Sequence, residues 1–159
     1  MEEITAAHKK NFLIWTSVLV GMLILVTVVY FLHSSAVFEP VADSRSYGQI
    51  FFIVAIIFAS AILILKRSIL LPEKVVTRLS KENVPEKPVG LLLSRIRFNF
   101  LIIWTLAEAI LLTGFINYIL TADFNNFMIL AVVALYSLVI NIPRENTLHR
   151  AVALLEELG

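Results

Sequence analysis

Residues 98–120, FNFLIIWTLAEAILLTGFINYIL, decide the fold. At about 1.5 Å per residue, a helix of this length crosses a hydrocarbon core about 30 Å thick. Glu108 is its one charged residue. Three further apolar runs stand around it: residues 11–32 (NFLIWTSVLVGMLILVTVVYFL), 47–65 (YGQIFFIVAIIFASAILIL) and 124–142 (FNNFMILAVVALYSLVINI). As core helices of a water-soluble protein, four such runs would leave almost no polar face for solvent. A membrane β-barrel is excluded because the runs are continuous rather than alternating. The expectation is therefore an all-α polytopic integral membrane protein with four transmembrane helices.

Composition agrees. Of 159 residues, 59% are hydrophobic and 16% charged, against about 45–50% and about 25% in soluble domains. There is no cysteine, so disulfides, thiolate metal sites and cysteine nucleophiles are excluded. A formal net charge of +1 argues against nucleic acid as a partner. The segment MEEITAAHKK does not read as a signal peptide, because acidic residues lead and the apolar run behind it lacks a cleavage site.

The placement of charge predicts orientation. Lys9 and Lys10 precede the first run. Lys66, Arg67, Lys74, Arg78, Lys81, Lys87, Arg95 and Arg97 lie between the second and third. Arg144 and Arg150 follow the fourth, and Arg45 alone is left for the other side, with Glu39, Asp43 and Asp123. The excess of Lys and Arg predicts that both termini and the central loop are cytoplasmic. No Asn-x-Ser/Thr acceptor occurs, which fits a bacterial cytoplasmic membrane.

Two segments outside the runs are amphipathic. In the loop, residues 66–97, Pro72 opens a short helix whose Val75, Val76 and Leu79 share a face, with Pro85 and Pro88 ending it. In the tail, residues 143–159, Leu148, Ala151, Val152 and Leu155 form a stripe that stops at Gly159. Each is expected either to lie on the inner leaflet or to dock on a partner. Helix three is expected to begin near Gly90.

The halves also resemble each other. A shift of 88 residues places Asn11-Phe12-Leu13-Ile14 on Asn99-Phe100-Leu101-Ile102, and Tyr30 on Tyr118. This predicts two parallel-repeat hairpins related by an axis along the membrane normal. Tyr30, Tyr47 and Tyr118 fit an aromatic belt, and Trp15 and Trp104 read as lipid-facing or packing residues.

Glu108 is the residue with chemical potential. An ionisable group at that depth is a functional-site hypothesis by default. No Lys or Arg lies at matching depth in the four runs, so the expectation is a neutral acid hydrogen-bonded to a neighbour. Candidate partners are Trp104 and Thr105 on its own helix, and Ser60 and Ser137 on others, with Thr16, Ser17 and Tyr136 also within possible reach. The acid then serves as helix–helix glue, as an ion site, or as a contact to another subunit. His8, His33 and His149 fall at helix ends, so no haem or metal site is expected. No phosphate loop or catalytic constellation is present, and neither an enzyme nor a cofactor is expected.

The run Leu106-Ala107-Glu108-Ala109, with Gly114 six residues after the acid, resembles the carboxylate helix of rotary ATPase c subunits. That resemblance implies proton or sodium binding at Glu108, and a four-helix chain of this length is similar to the doubled proteolipid. The whole pattern also resembles small four-helix bacterial membrane proteins with an acidic third helix, a likeness that implies no function. The sequence predicts an accessory or structural subunit of a larger membrane complex, contacting the lipid bilayer and either other membrane subunits or further copies of itself. The alternative is a proteolipid-like ion-binding component using Glu108.

Overall fold

A computed structural model describes residues 2–35, 40, 44–81 and 89–157. These form six helices: α1 (Glu2–Ser34), α2 (Ser44–Ile69), α3 (Pro72–Lys81), α4 (Val89–Thr121), α5 (Phe124–Val139) and α6 (Glu145–Glu157). Glu39, Asp43, Pro85, Lys87, Pro88 and Gly159 lie outside the described residues, as do the side chains of Arg45 and Lys81.

Three helices, α1, α2 and α4, are long and apolar enough to cross a membrane. Their β-branched content is poor for a helix in water. In hydrocarbon, however, every backbone group must be paired within the segment, and a helix does this. Their hydroxyls follow the same logic: Thr16 and Ser17 donate back to the carbonyls of Phe12 and Leu13 at 2.9 and 3.0 Å, and Thr113 to that of Ala109 at 2.7 Å. Thr16 and Ser17 therefore satisfy themselves on α1 rather than reaching toward Glu108.

The fourth run makes a shorter helix than its apolar length predicts. α5 has 16 residues, or about 24 Å. Residues 140–142 leave the helix. The turn into α5 is tight. Ala122 takes a left-handed φ of 54°. Asp123 then caps α5, its carboxylate accepting from the Asn126 backbone N–H at 3.0 Å and the Asn126 amide at 2.8 Å. A link this short folds α5 back along α4. Gly114 lets the two approach: a Cβ there would stand 3.0 Å from Leu130 Cβ.

α4 is the hub, packing against α1, α2, α3, α5 and α6. Among the described residues α1 and α2 do not touch; each packs on α4 and α5. The expected pair of equivalent hairpins is therefore not formed. The second half is a close hairpin, while the first is two separated helices. The sequence likeness comes from shared needs at one end of α1 and α4.

α1 and α4 each have 33 residues, about 50 Å, so roughly two-fifths of each projects beyond a core about 30 Å thick. The projecting turns meet α3 and α6. Val75, Val76 and Leu79 of α3 join Leu148, Ala151, Val152 and Leu155 of α6 in one core with Ile4 and Ala7 of α1. Arg150 pairs with Glu73, and Thr5 donates to Glu145 at 3.3 Å. The apolar stripes of both amphipathic segments thus face each other, not a leaflet or a separate partner. Pro72 opens α3 as its position predicts. The start of α1, the end of α6 and the described basic residues of the loop and tail gather at this end, opposite the α4–α5 turn.

Candidate functional site

Glu108 lies on the outer strip of α4 left uncovered by α1, α2 and α5. From Phe98 onward the exposed residues of α4 are Phe98, Thr105, Glu108, Leu112 and Ile116, spaced three, four or seven apart, which places them on one side of the helix. Among the described residues nothing hydrogen-bonds or ion-pairs with the Glu108 carboxyl.

The residues expected around it are dispersed. Thr105 shares the strip one turn away and is exposed. Ser60 is exposed on α2. Trp104, one turn before Glu108, is turned inward: it is 1% exposed, stacks on Phe100, and donates Nε1–H to the Asn141 carbonyl at 3.1 Å. Ser137 is buried, and its backbone carbonyl accepts from the Asn141 amide at 2.7 Å. Tyr136 is exposed on α5. The expected cluster at Glu108 is therefore not assembled, while Trp104 and Ser137 each bond Asn141 just past the end of α5.

That end is the polar centre of the molecule. The last four carbonyls of a helix have no partner within it. Because α5 stops early, its carbonyls fall among apolar neighbours, where leaving them bare is costly. Backbone N–H groups of residues 140–142 take the carbonyls of Tyr136, Leu138 and Val139, and side chains from the neighbouring helices bond Leu138 a second time and the two carbonyls just beyond the helix. Trp15 of α1 donates to the Leu138 carbonyl at 3.1 Å, Lys66 of α2 to that of Ile140 at 3.2 Å, and Trp104 of α4 to that of Asn141. Asn99 does the same for α2, donating to the Ile69 carbonyl at 2.7 Å. Arg97 Nε donates to Asn11 Oδ1 at 3.1 Å, joining α4 to α1.

Sequence reasoning missed this role for Trp15, Trp104 and Lys66. The signal was present: NFLIW at residues 11–15 and NFLIIW at 99–104 place an amide and an indole donor one turn apart at the same end of two helices. Beside the node a groove of about 240 Å³ opens between the α2–α3 corner and the α5–α6 connection, lined by Lys66, Leu71, Phe100, Ile142, Arg144 and Thr147 among others.

The opposite end is aromatic. His33 stacks on Phe124 at 4.3 Å, and Tyr118 packs edge-on to both. Tyr30 and Tyr47 are exposed, as a belt requires, but Tyr118 is 1% exposed and belongs to the core. Among the described residues no group of three His, Asp or Glu side chains is placed to hold a metal ion.

No protein-family model, curated protein or solved structure matches the chain.

Proposed function

We propose that this chain is a small integral-membrane subunit that assembles laterally with other membrane helices through the bare strip of α4. The observation that supports it is Glu108, mid-helix, exposed and without a partner among the described residues. An acidic side chain at the centre of a membrane helix costs on the order of 2.5–3.5 kcal/mol. A neighbouring helix that brings a hydrogen-bond donor to that depth removes most of the penalty. Thr105, Leu112 and Ile116 along the strip supply the packing surface on either side of the acid.

In this reading the basic end faces the cytoplasm, as the bias of Lys and Arg predicts. α5 makes the fourth pass, with the capped carbonyls of residues 137–141 compensating for its length. The membrane is a bacterial cytoplasmic membrane. The subunit organises a complex and neither binds a cofactor nor catalyses a reaction.

A second reading draws on the same outward-facing acid. A ring of copies would place Glu108 at the contact between protomers, the geometry expected of a proteolipid-like ion site, and residues 106–114 carry that resemblance. The scarcity of glycine weighs against close ring packing: α1 has Gly21 alone along its length.

Native mass spectrometry of the wild-type, Glu108→Gln and Glu108→Leu chains, gently extracted from the source membrane, tests the proposal. The wild type is expected to carry other polypeptides, Gln to keep them through its amide, and Leu to lose them. A monomer free of partners in all three would overturn it. A ring of identical chains, with proton or sodium exchange abolished by Glu108→Gln, would establish the second reading instead.

A further inference from the structure

The groove beside the α5 terminus has the character of a lipid-headgroup site. Lys66 closes the apolar run of α2, so it stands where hydrocarbon gives way to headgroups. One of its three N–H donors is used on the Ile140 carbonyl, leaving two. Arg144, exposed on the far wall, has no carboxylate partner among the described residues. The nearby acids are engaged elsewhere, Glu73 by Arg150 and Glu145 by Thr5 and His149. Two cations therefore line one opening without a matching anion among the described residues. The rest of the lining suits what hangs from a headgroup: Leu71, 45% exposed, with Phe100 and Ile142 offers an apolar wall. The groove, about 240 Å³ and open to the outside, has room for a phosphodiester and its alcohol.

We propose that this groove binds the headgroup of an anionic phospholipid, its phosphodiester held between Lys66 and Arg144 and its first acyl carbons laid against Leu71 and Phe100. Basic pockets between membrane helices take anionic headgroups in this way. The lipid would brace the corner where α2, α5 and α6 meet. This inference requires that the chain lies in a bilayer, but not that α4 assembles with other subunits.

The test is native mass spectrometry of the full-length chain, delipidated in a neutral detergent and titrated with phosphatidylglycerol or phosphatidylcholine. The wild type is expected to prefer phosphatidylglycerol by about tenfold. Lys66→Gln/Arg144→Gln should bring the two lipids to equal binding. Its glutamine at 66 still offers an N–H to the Ile140 carbonyl, and a thermal melt reports whether the fold persists. Should the double variant unfold, Arg144→Gln alone, at an exposed position, is expected to lose most of the preference. Arg67→Gln, outside the groove, should change nothing. Equal binding by the wild type, or a preference that survives in the variants, overturns the proposal. So does displacement of phosphatidylglycerol by millimolar inorganic phosphate, which would make the site one for free phosphate.

Discussion

α1 and α4 have the same length and a similar apolar character, and they carry closely related amide-to-indole segments, yet they live in different surroundings. α4 is buried on three sides, with fifteen buried residues from Leu92 to Thr121. α1 buries six, Ile4, Ala7, Asn11, Trp15, Met22 and Val29, on one narrow stripe. Apolar character tells a helix to enter lipid but does not say how many neighbours it will have, because lipid is as apolar as leucine. What separates the two helices is local: Ala107 and Gly114 let other helices close on α4, whereas Gly21 of α1 has nothing within 4 Å of where a Cβ would stand.

The sharpest way to break this comparison is to remove the two indoles. Trp15 bonds a carbonyl of the last turn of α5 and Trp104 one just beyond it, but Trp104 is enclosed and stacked on Phe100, while Trp15 sits beneath the exposed Phe12. Trp104→Ala is expected to destabilise the protein by about 3–5 kcal/mol, through a cavity and an uncapped carbonyl. Trp15→Ala should cost about half as much. Unfolding in detergent micelles followed by far-UV circular dichroism measures both. Equal losses would mean that α1 is as integral to the bundle as α4.

The glycines give a smaller, cleaner contrast. Gly114→Leu must push Leu130 and Phe127 aside, and overpacking of this kind costs about 1–3 kcal/mol. Gly21→Leu adds a side chain to an open surface and should stay within about 0.5 kcal/mol of the wild type. A large loss at Gly21 would show that α1 closes on a neighbour outside the chain, and thermal melts of the purified variants against the assembled complex would locate it.

The elements were legible because hydropathy and helix punctuation are local. Pro72 and the link around Asp123 marked two boundaries, and the apolar runs at residues 11–32, 47–65 and 98–120 became parts of three long helices. The stripes of the loop and tail were legible as amphipathic faces. Their pairing with each other was not, since a stripe does not name its cover. The repeat misled for the opposite reason. Asn11 and Asn99, like Trp15 and Trp104, recur because each helix must supply polar donors at one end, and that need does not require equivalent hairpins. At the candidate site, the position of Glu108 was legible but its surroundings were not. Trp104, four positions before it, lies about 40° away around the helix, enough to turn one side chain inward and leave the other outside.

The smallest effects come from the buried amides, and their signs differ within α4 itself. Asn99 caps the Ile69 carbonyl, so Asn99→Leu leaves that acceptor bare and should cost about 1 kcal/mol. Asn117 is fully buried, and neither atom of its amide finds a partner among the described residues. Leucine is close in volume and carries no polar atoms, so Asn117→Leu is expected to stabilise the chain by up to about 1 kcal/mol. Chemical denaturation of the two variants side by side reads the difference directly. A loss at Asn117 as large as that at Asn99 would mean that its amide is engaged after all, through a buried water or a second chain. The hub character of α4 would then extend from the basic end, where its donors are visibly used, to the aromatic one.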